Sequence, residues 1–281
     1  MFRHIILFLF IGLFGAFIKG HDYSYELLQQ MIGEANKINA ATYHVDKEER
    51  MAGKMKAGAS DVKYRRYPYS LYVKQKKGLE VLYVDGVNNG KALINPAGFP
   101  WINISLEPMG STMRKGQHHT IHEAGFEMII AIINVLYNKY RSKVDKTSDI
   151  LKYDGIINKN GTIFYKLSFK NPDYKIIEYT MKEDETVYEV AKRMLIPAYR
   201  VIELNDNISE YHDVKPGMTV RIPNDYASEI KVLMSKKTSL PEHIEIYDEN
   251  GLFEIFDFSN VIINPTFDSD EFSKTYKDYK F

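Results

Sequence analysis

The residues best suited to chemistry lie in "MRKGQHHTIHEAGFEMIIAII", residues 113–133, where His118, His119 and His122 stand at the mouth of an apolar run. Histidines four apart share a helical face, so His118 and His122 could both ligate zinc, but a zinc site needs a third protein ligand. On a helix of 100° per residue Glu123 and Glu127 point away from that pair, and no strand residue is nominated by any motif. "HEAGF" at 122–126 lacks the second histidine of a zinc-protease HExxH, and neither a glycine-rich phosphate loop nor a nucleophile elbow occurs. No catalytic residue, no metal and no cofactor is therefore expected.

The same wheel sets His118 and His122 within an apolar stripe of Ile121, Gly125, Met128, Ile129, Ile132, Val135 and Leu136. They are expected to turn inward, and His119 toward water. Burial and the positive end of a helix dipole both disfavour imidazolium. That leaves neutral histidines bonded to strand groups, or polar groups inside a ligand cavity. The enzymatic alternative is a metal-dependent hydrolase using His118 and His122; the bland one is a non-binding structural scaffold.

The helix carrying these residues is expected from about Gln117 to Tyr140, and it needs a flat partner. A second amphipathic helix is expected over 25–38, where Leu27, Leu28, Met31, Ile32, Ala35 and Ile38 recur at helical spacing. The partner is a succession of short Tyr-, Val- and Ile-rich segments at 61–75, 79–86, 90–96 and 101–108, bounded by Gly, Pro and Asn. Asn-Gly pairs in "VNNGK", "NKNGT" and "DENGL" tolerate the positive φ angles of type I′ turns, so each predicts an antiparallel hairpin. After the second, "TIFYKLSFK" places Ile163, Tyr165, Leu167 and Phe169 on one face, with Thr162, Lys166, Ser168 and Lys170 on the other beside Phe164. An antiparallel sheet with one wet and one covered face follows.

Composition narrows the class. With 37 basic and 37 acidic residues the chain has no bulk charge to draw nucleic acid. The absence of cysteine excludes disulfides, thiolate metal sites and a lipid-modified amino-terminal cysteine. "MFRHIILFLFIGLFGAFIKG", residues 1–20, reads as a secretory signal: Arg3 precedes an apolar run shorter than the ~20 residues a membrane span needs. Export to the periplasm, not as a lipoprotein, is the expected localisation.

Between Asp173 and Ser228 the pattern changes to strand, acidic loop, helix, link, helix, loop, strand, a compact βααβ unit. Thr186 is placed to cap the first helix, with Glu189 completing a capping box. Thr186-Val187, Val190-Ala191, Leu204-Asn205, Val214, Pro216-Gly217 and Ile222-Pro223 fall in the order and spacing of the LysM family, which this segment strongly resembles. The resemblance implies binding of peptidoglycan or another N-acetylglucosamine polymer in a shallow groove between two loops. By position those loops are Glu183, Asp184, Glu185 and Thr186, and Asn205, Asp206, Asn207 and Ile208. The glycine usual in the family before the acidic-Thr pair is Asp184 here, which crowds that groove.

The remainder resembles the LolA-like fold, an α+β architecture in which an antiparallel incomplete β-barrel is closed by helices. "NPAGFPWINISLEPMGSTMRKGQHHTIHEAGFEMI" and "KKTSLPEHIEIYDENGLFEIFDFSNVIINPTF" look like segments of uncharacterised exported Bacteroidetes-type proteins of that group. The expected organisation is a signal peptide (1–20), a discontinuous host domain (21–173 and 227–281) and an inserted LysM module (174–226). The resemblance implies a hydrophobic cavity for a lipid or lipoprotein acyl chain, lined by Tyr165, Leu167, Phe169, Ile246, Phe256 and Phe258 with His118 and His122. A monomeric binding protein without enzymatic activity, with peptidoglycan and an acyl chain as partners, is the reading the sequence supports.

Overall fold

The computed structural model describes residues 23–281. The expected export segment lies outside the described residues. The apolar spacing near the amino terminus folds as helix α1 (Tyr23–Asn36), which buries Leu27, Leu28, Met31 and Ala35. Strands β1 (Ala40–Met51) and β2 (Lys54–Arg65) form a long hairpin, followed by β3 (Ser70–Gln75), β4 (Glu80–Val84), β5 (Ala92–Asn95) and β6 (Ile104–Leu106). A single-turn helix α2 (Ser111–Arg114) leads to α3 (Glu127–Tyr140), and then to the hairpin β7 (Leu151–Lys159) and β8 (Thr162–Lys170). The inserted unit is β9 (Ile176–Thr180), α4 (Val187–Met194), α5 (Ala198–Glu203) and β10 (Thr219–Pro223). Strands β11 (Glu229–Ser235), β12 (Pro241–Asp248) and β13 (Gly251–Ile263) complete the chain's regular structure.

The fold is α+β, dominated by one antiparallel sheet of 11 strands in the order β6-β5-β4-β3-β2-β1-β13-β12-β11-β8-β7. The first and last long strands meet at its centre, where β1 pairs with β13 from Ala41↔Ile263 to Glu49↔Glu254 through a bulge at Thr42 and His44. Helices α1 and α3 lie together on one face, with Tyr25 stacked on Tyr137 at 4.9 Å, and share a core with the sheet. The inserted unit has its own core, formed by Met181, Val187, Val190, Ala191, Val201, Ile208, Val220 and Ile222 among others. No helix among the described residues is long and apolar enough to cross a membrane.

Four local expectations change. The lid helix does not run from Gln117: Gly125 takes φ +105°, and residues 117–126 are irregular apart from a single 3-10 turn at Ile121–Glu123. Val135 of the expected stripe is exposed, while Ile130, Ile133, Tyr137 and Tyr140 are buried. Segment 61–75 is two strands joined through Tyr67 and Pro68, and β1, whose charged residues mask its alternation, is an additional strand. In β8 the inward pattern holds at Leu167 and Phe169, but Ile163 is exposed and Phe164 buried. A bulge between Tyr153 and Gly155 in the partner strand shifts the register between these two halves of the hairpin.

The three Asn-Gly hairpins form, though not with one turn type. Asn160 and Gly161 both have positive φ, as a type I′ turn requires. Residues 85–91 instead make a longer connection containing a 3-10 turn at Asn88–Gly90.

Candidate functional site

A cavity of about 440 Å³ opens between the sheet and the segment 112–129, which runs from α2 through the irregular stretch into the start of α3. Its sheet wall is built by period-two alternation: Tyr43, Val45 and Lys47 from β1, Leu71, Val73 and Gln75 from β3, Ile244 and Ile246 from β12, Phe256 and Phe258 from β13. Met113, Ile121, Ala124, Met128 and Ile129 close the other side. The volume falls in the range of small-molecule pockets, and most of the lining is aliphatic or aromatic.

Of the residues expected to line such a cavity, Ile246, Phe256 and Phe258 do so. Leu167 and Phe169 do not: they pack with Met31, Ile133 and Ile230 beneath α1 and α3, because β8 lies near the far end of the sheet. Tyr165 packs edge-on against Tyr23 and Tyr153 there. His122 is exposed, with its ring against Tyr69 and Tyr83, rather than inward. His118 is buried as expected but behind the cavity wall, and it is His119, expected to face water, that lines the cavity. The cause is the absence of a helix at 117–126, without which the wheel assigns no directions.

No motif or local pattern signals the cluster that holds these histidines. Glu49 and Glu254 sit directly opposite each other on neighbouring strands, 1% and 0% exposed. Two buried like charges in cross-strand contact are destabilising unless neutralised. Lys47 pairs with Glu49 at 2.8 Å. Glu254 receives hydrogen bonds from His118 Nδ1 at 2.6 Å, from His119 Nε2 at 3.1 Å and from the Tyr226 hydroxyl at 3.2 Å. His118 Nε2 donates to the Arg50 carbonyl at 2.9 Å.

Burial opposes charge on both partners of the central pair, yet the mutual attraction wins. Burial would raise Glu254, but His119 and the His118 hydrogen bond hold it well below the usual carboxylate range. Burial would lower His119, but Glu254, with Glu123 and Glu49 behind it, holds it up at about 9. The arrangement is a buried ion pair at the edge of an apolar cavity, beside a Glu49 whose Oε1 has no hydrogen-bond partner among the described residues. His118 packs against Glu254 while His122 lies against Tyr69 and Tyr83, so the two do not share a site, and no group of three ligating side chains among the described residues is placed to hold a metal ion. Glu123 supplies half of a capping box for the 3-10 turn, accepting from Thr120 N–H at 2.7 Å while the Thr120 hydroxyl has no partner among the described residues; "TIHE" was the signal that a new turn starts at Thr120.

In the inserted unit the segments just beyond the two candidate loops are joined, Val187 N–H donating to the Tyr211 carbonyl at 2.9 Å. The loops' side chains divide by role. Glu183, Asp184, Asp206 and Asn207 are exposed, with Asp184 at φ +58°. Thr186 caps α4, its hydroxyl accepting from Glu189 N–H. Glu185 is committed to Tyr179, Arg193 and the Lys182 amide. Asn205 and Ile208, expected as sugar contacts, are buried. Asn205 bridges the Val201 and Arg221 carbonyls and accepts from Arg221 N–H, and Ile208 belongs to the module's core.

The module is docked on the host beside the histidine cluster. Tyr199 of α5 stacks on His118 and accepts a hydrogen bond from the Ala52 amide at 3.0 Å. Arg200 pairs with Asp248 and Glu249 in the β12–β13 turn, and Arg114 lies 3.6 Å from the centre of the Tyr211 ring while pairing with Glu210.

Comparison with known proteins places two family matches on this geometry. Residues 38–199 match the family described as protein of unknown function (DUF1571), and residues 179–223 match the LysM domain, which the chain therefore carries. No curated protein matches. Among solved structures, LprF from Mycobacterium bovis is 11% identical with a TM-score of 0.44, over 88% of this chain and 96% of that one. MucB is 12% identical with a TM-score of 0.43 over 90% of this chain, which spans only 63% of MucB's length. A LolA superfamily protein from Nitrosomonas europaea is 9% identical with a TM-score of 0.32, over 88% and 96% of the two chains.

Proposed function

We propose, from the premise that this chain belongs to the DUF1571 family of proteins of unknown function, that it is an exported envelope protein binding an acyl chain in its cavity and peptidoglycan through its LysM domain. The observation that carries the first half is the apolar cavity of about 440 Å³, a volume suited to a small hydrophobic ligand. Its sheet wall and its helical and irregular cover act as an incomplete barrel closed on one side. Glu254 holds His119, the member of the cluster that lines the cavity, in place.

The second half rests on the LysM match and on the exposed loop groups Glu183, Asp184, Asp206 and Asn207, whose carboxylates and amide suit sugar hydroxyls and acetamides. In this reading residues 1–20 direct export to the periplasm, 21–173 and 227–281 form the host, 174–226 form the module, and the protein acts as a monomer without catalysis. Native mass spectrometry of protein purified from its own envelope tests the acyl half: an added mass of a lipid or acylated species is expected, and uniformly ligand-free protein counts against it. Retention on insoluble peptidoglycan tests the other half.

A further inference from the structure

The loop between β5 and β6 ends in a cluster of apolar side chains facing water. Phe99, Trp101 and Ile102 are 85%, 79% and 63% exposed. Isolated exposed apolar residues are ordinary, but large ones grouped at a loop tip mark an interaction surface. Trp101 is held there at φ +60°, its amide closing a turn onto the Gly98 carbonyl at 2.7 Å. The same loop is the cavity's rim: Ile94 and Pro96 before it and Ile104 after it line the cavity.

A second element stands beside it. A Cβ on Gly78 would lie 3.3 Å from the Ala97 side chain, so the β3–β4 turn, which carries exposed Lys76 and Lys77, abuts this loop. Neither 75–79 nor 95–103 contains a carboxylate. Aromatic and aliphatic side chains flanked by lysines, with no carboxylate in either loop, are complementary to the headgroup boundary of an anionic bilayer.

We propose that this rim docks on an anionic membrane surface, with Phe99, Trp101 and Ile102 entering the headgroup boundary and Lys76 and Lys77 on lipid phosphates. Docking there brings the cavity mouth to the bilayer, so an amphiphile passes between membrane and cavity without crossing water. The contact itself does not depend on the cavity holding a lipid, so the two ideas fail separately.

Trp101 is the single tryptophan of the chain and therefore its own reporter. The full chain is mixed with phosphatidylcholine vesicles, with and without phosphatidylglycerol, and with brominated acyl chains as quenchers. With anionic vesicles the emission is expected to shift blue and be quenched. Phe99→Ser with Ile102→Ser abolishes the quenching, and Lys76→Ala with Lys77→Ala lowers partitioning about thirtyfold. Unquenched Trp101 overturns the proposal, whether the protein stays in solution or sediments with vesicles through another segment. Partitioning unchanged by the lysine pair also overturns it, as does a blue shift that grows with protein concentration alone, the sign of a second copy on this loop.

Discussion

Tyr199 of the LysM domain lies flat on His118 of the host, ring centroids 4.4 Å apart and planes at 17°. The other face of the His118 ring meets Phe253 at 4.3 Å, so one histidine is clamped between module and sheet while its Nδ1 holds Glu254. Removing the clamp separates packing from hydrogen bonding. Tyr199→Ala is expected to cost about 2 kcal/mol in denaturant unfolding, since a half-buried aromatic and its stacking are lost. Tyr199→Phe keeps the stack and loses only the bond from Ala52, a change of about 1 kcal/mol or less.

The ion pair beside it predicts a pH dependence. His119, raised to about 9 against an ordinary 6.5, contributes stability that is full below pH 6.5 and lost as pH rises through about 9. Glu254, depressed by the histidines, contributes stability that is present above its ordinary 4.5 and lost only as pH falls through its much lower folded value. The melting temperature is therefore expected to decline between pH 6.5 and 9, and His119→Gln to flatten that decline. In an NMR titration of the histidine rings Glu254→Gln should lower the His119 midpoint, because only Glu123 and Glu49 then oppose burial.

The LysM loops predict a division between folding and binding. Asn205→Ala removes a buried amide that makes three hydrogen bonds and is expected to destabilise the protein by about 2–3 kcal/mol. Asp206→Ala and Asn207→Ala, at exposed positions, leave the unfolding midpoint unmoved and lower retention on peptidoglycan. A loss of retention confined to Asn205→Ala would mean that the glycan is not read by this loop.

What the sequence disclosed follows from which signals are local. The LysM unit was legible in full outline because its capping box at Thr186 and Glu189, its turn at Pro216-Gly217 and its apolar spacing are all short-range. The antiparallel sheet was legible through Asn-Gly turns and alternation, and Ile246, Phe256 and Phe258 fell on the cavity face for the same reason. The histidine geometry was not, because helical periodicity was extended back across Gly125, whose φ of +105° lies ahead of the true start of α3 at Glu127. The Glu49–Glu254 opposition could not be read at all: those residues are brought together by the pairing of the first and last strands of the sheet, a contact no local pattern encodes.

The central claim, an acyl chain in the cavity, is tested most directly by titrating delipidated protein with a fluorescent fatty acid, beside Val73→Trp, which fills space at a half-buried lining position. The account predicts saturable binding at one site per chain, displaced by unlabelled fatty acid and weakened at least about tenfold by Val73→Trp with the fold retained. Binding that is absent, or that Val73→Trp leaves unchanged, would contradict it.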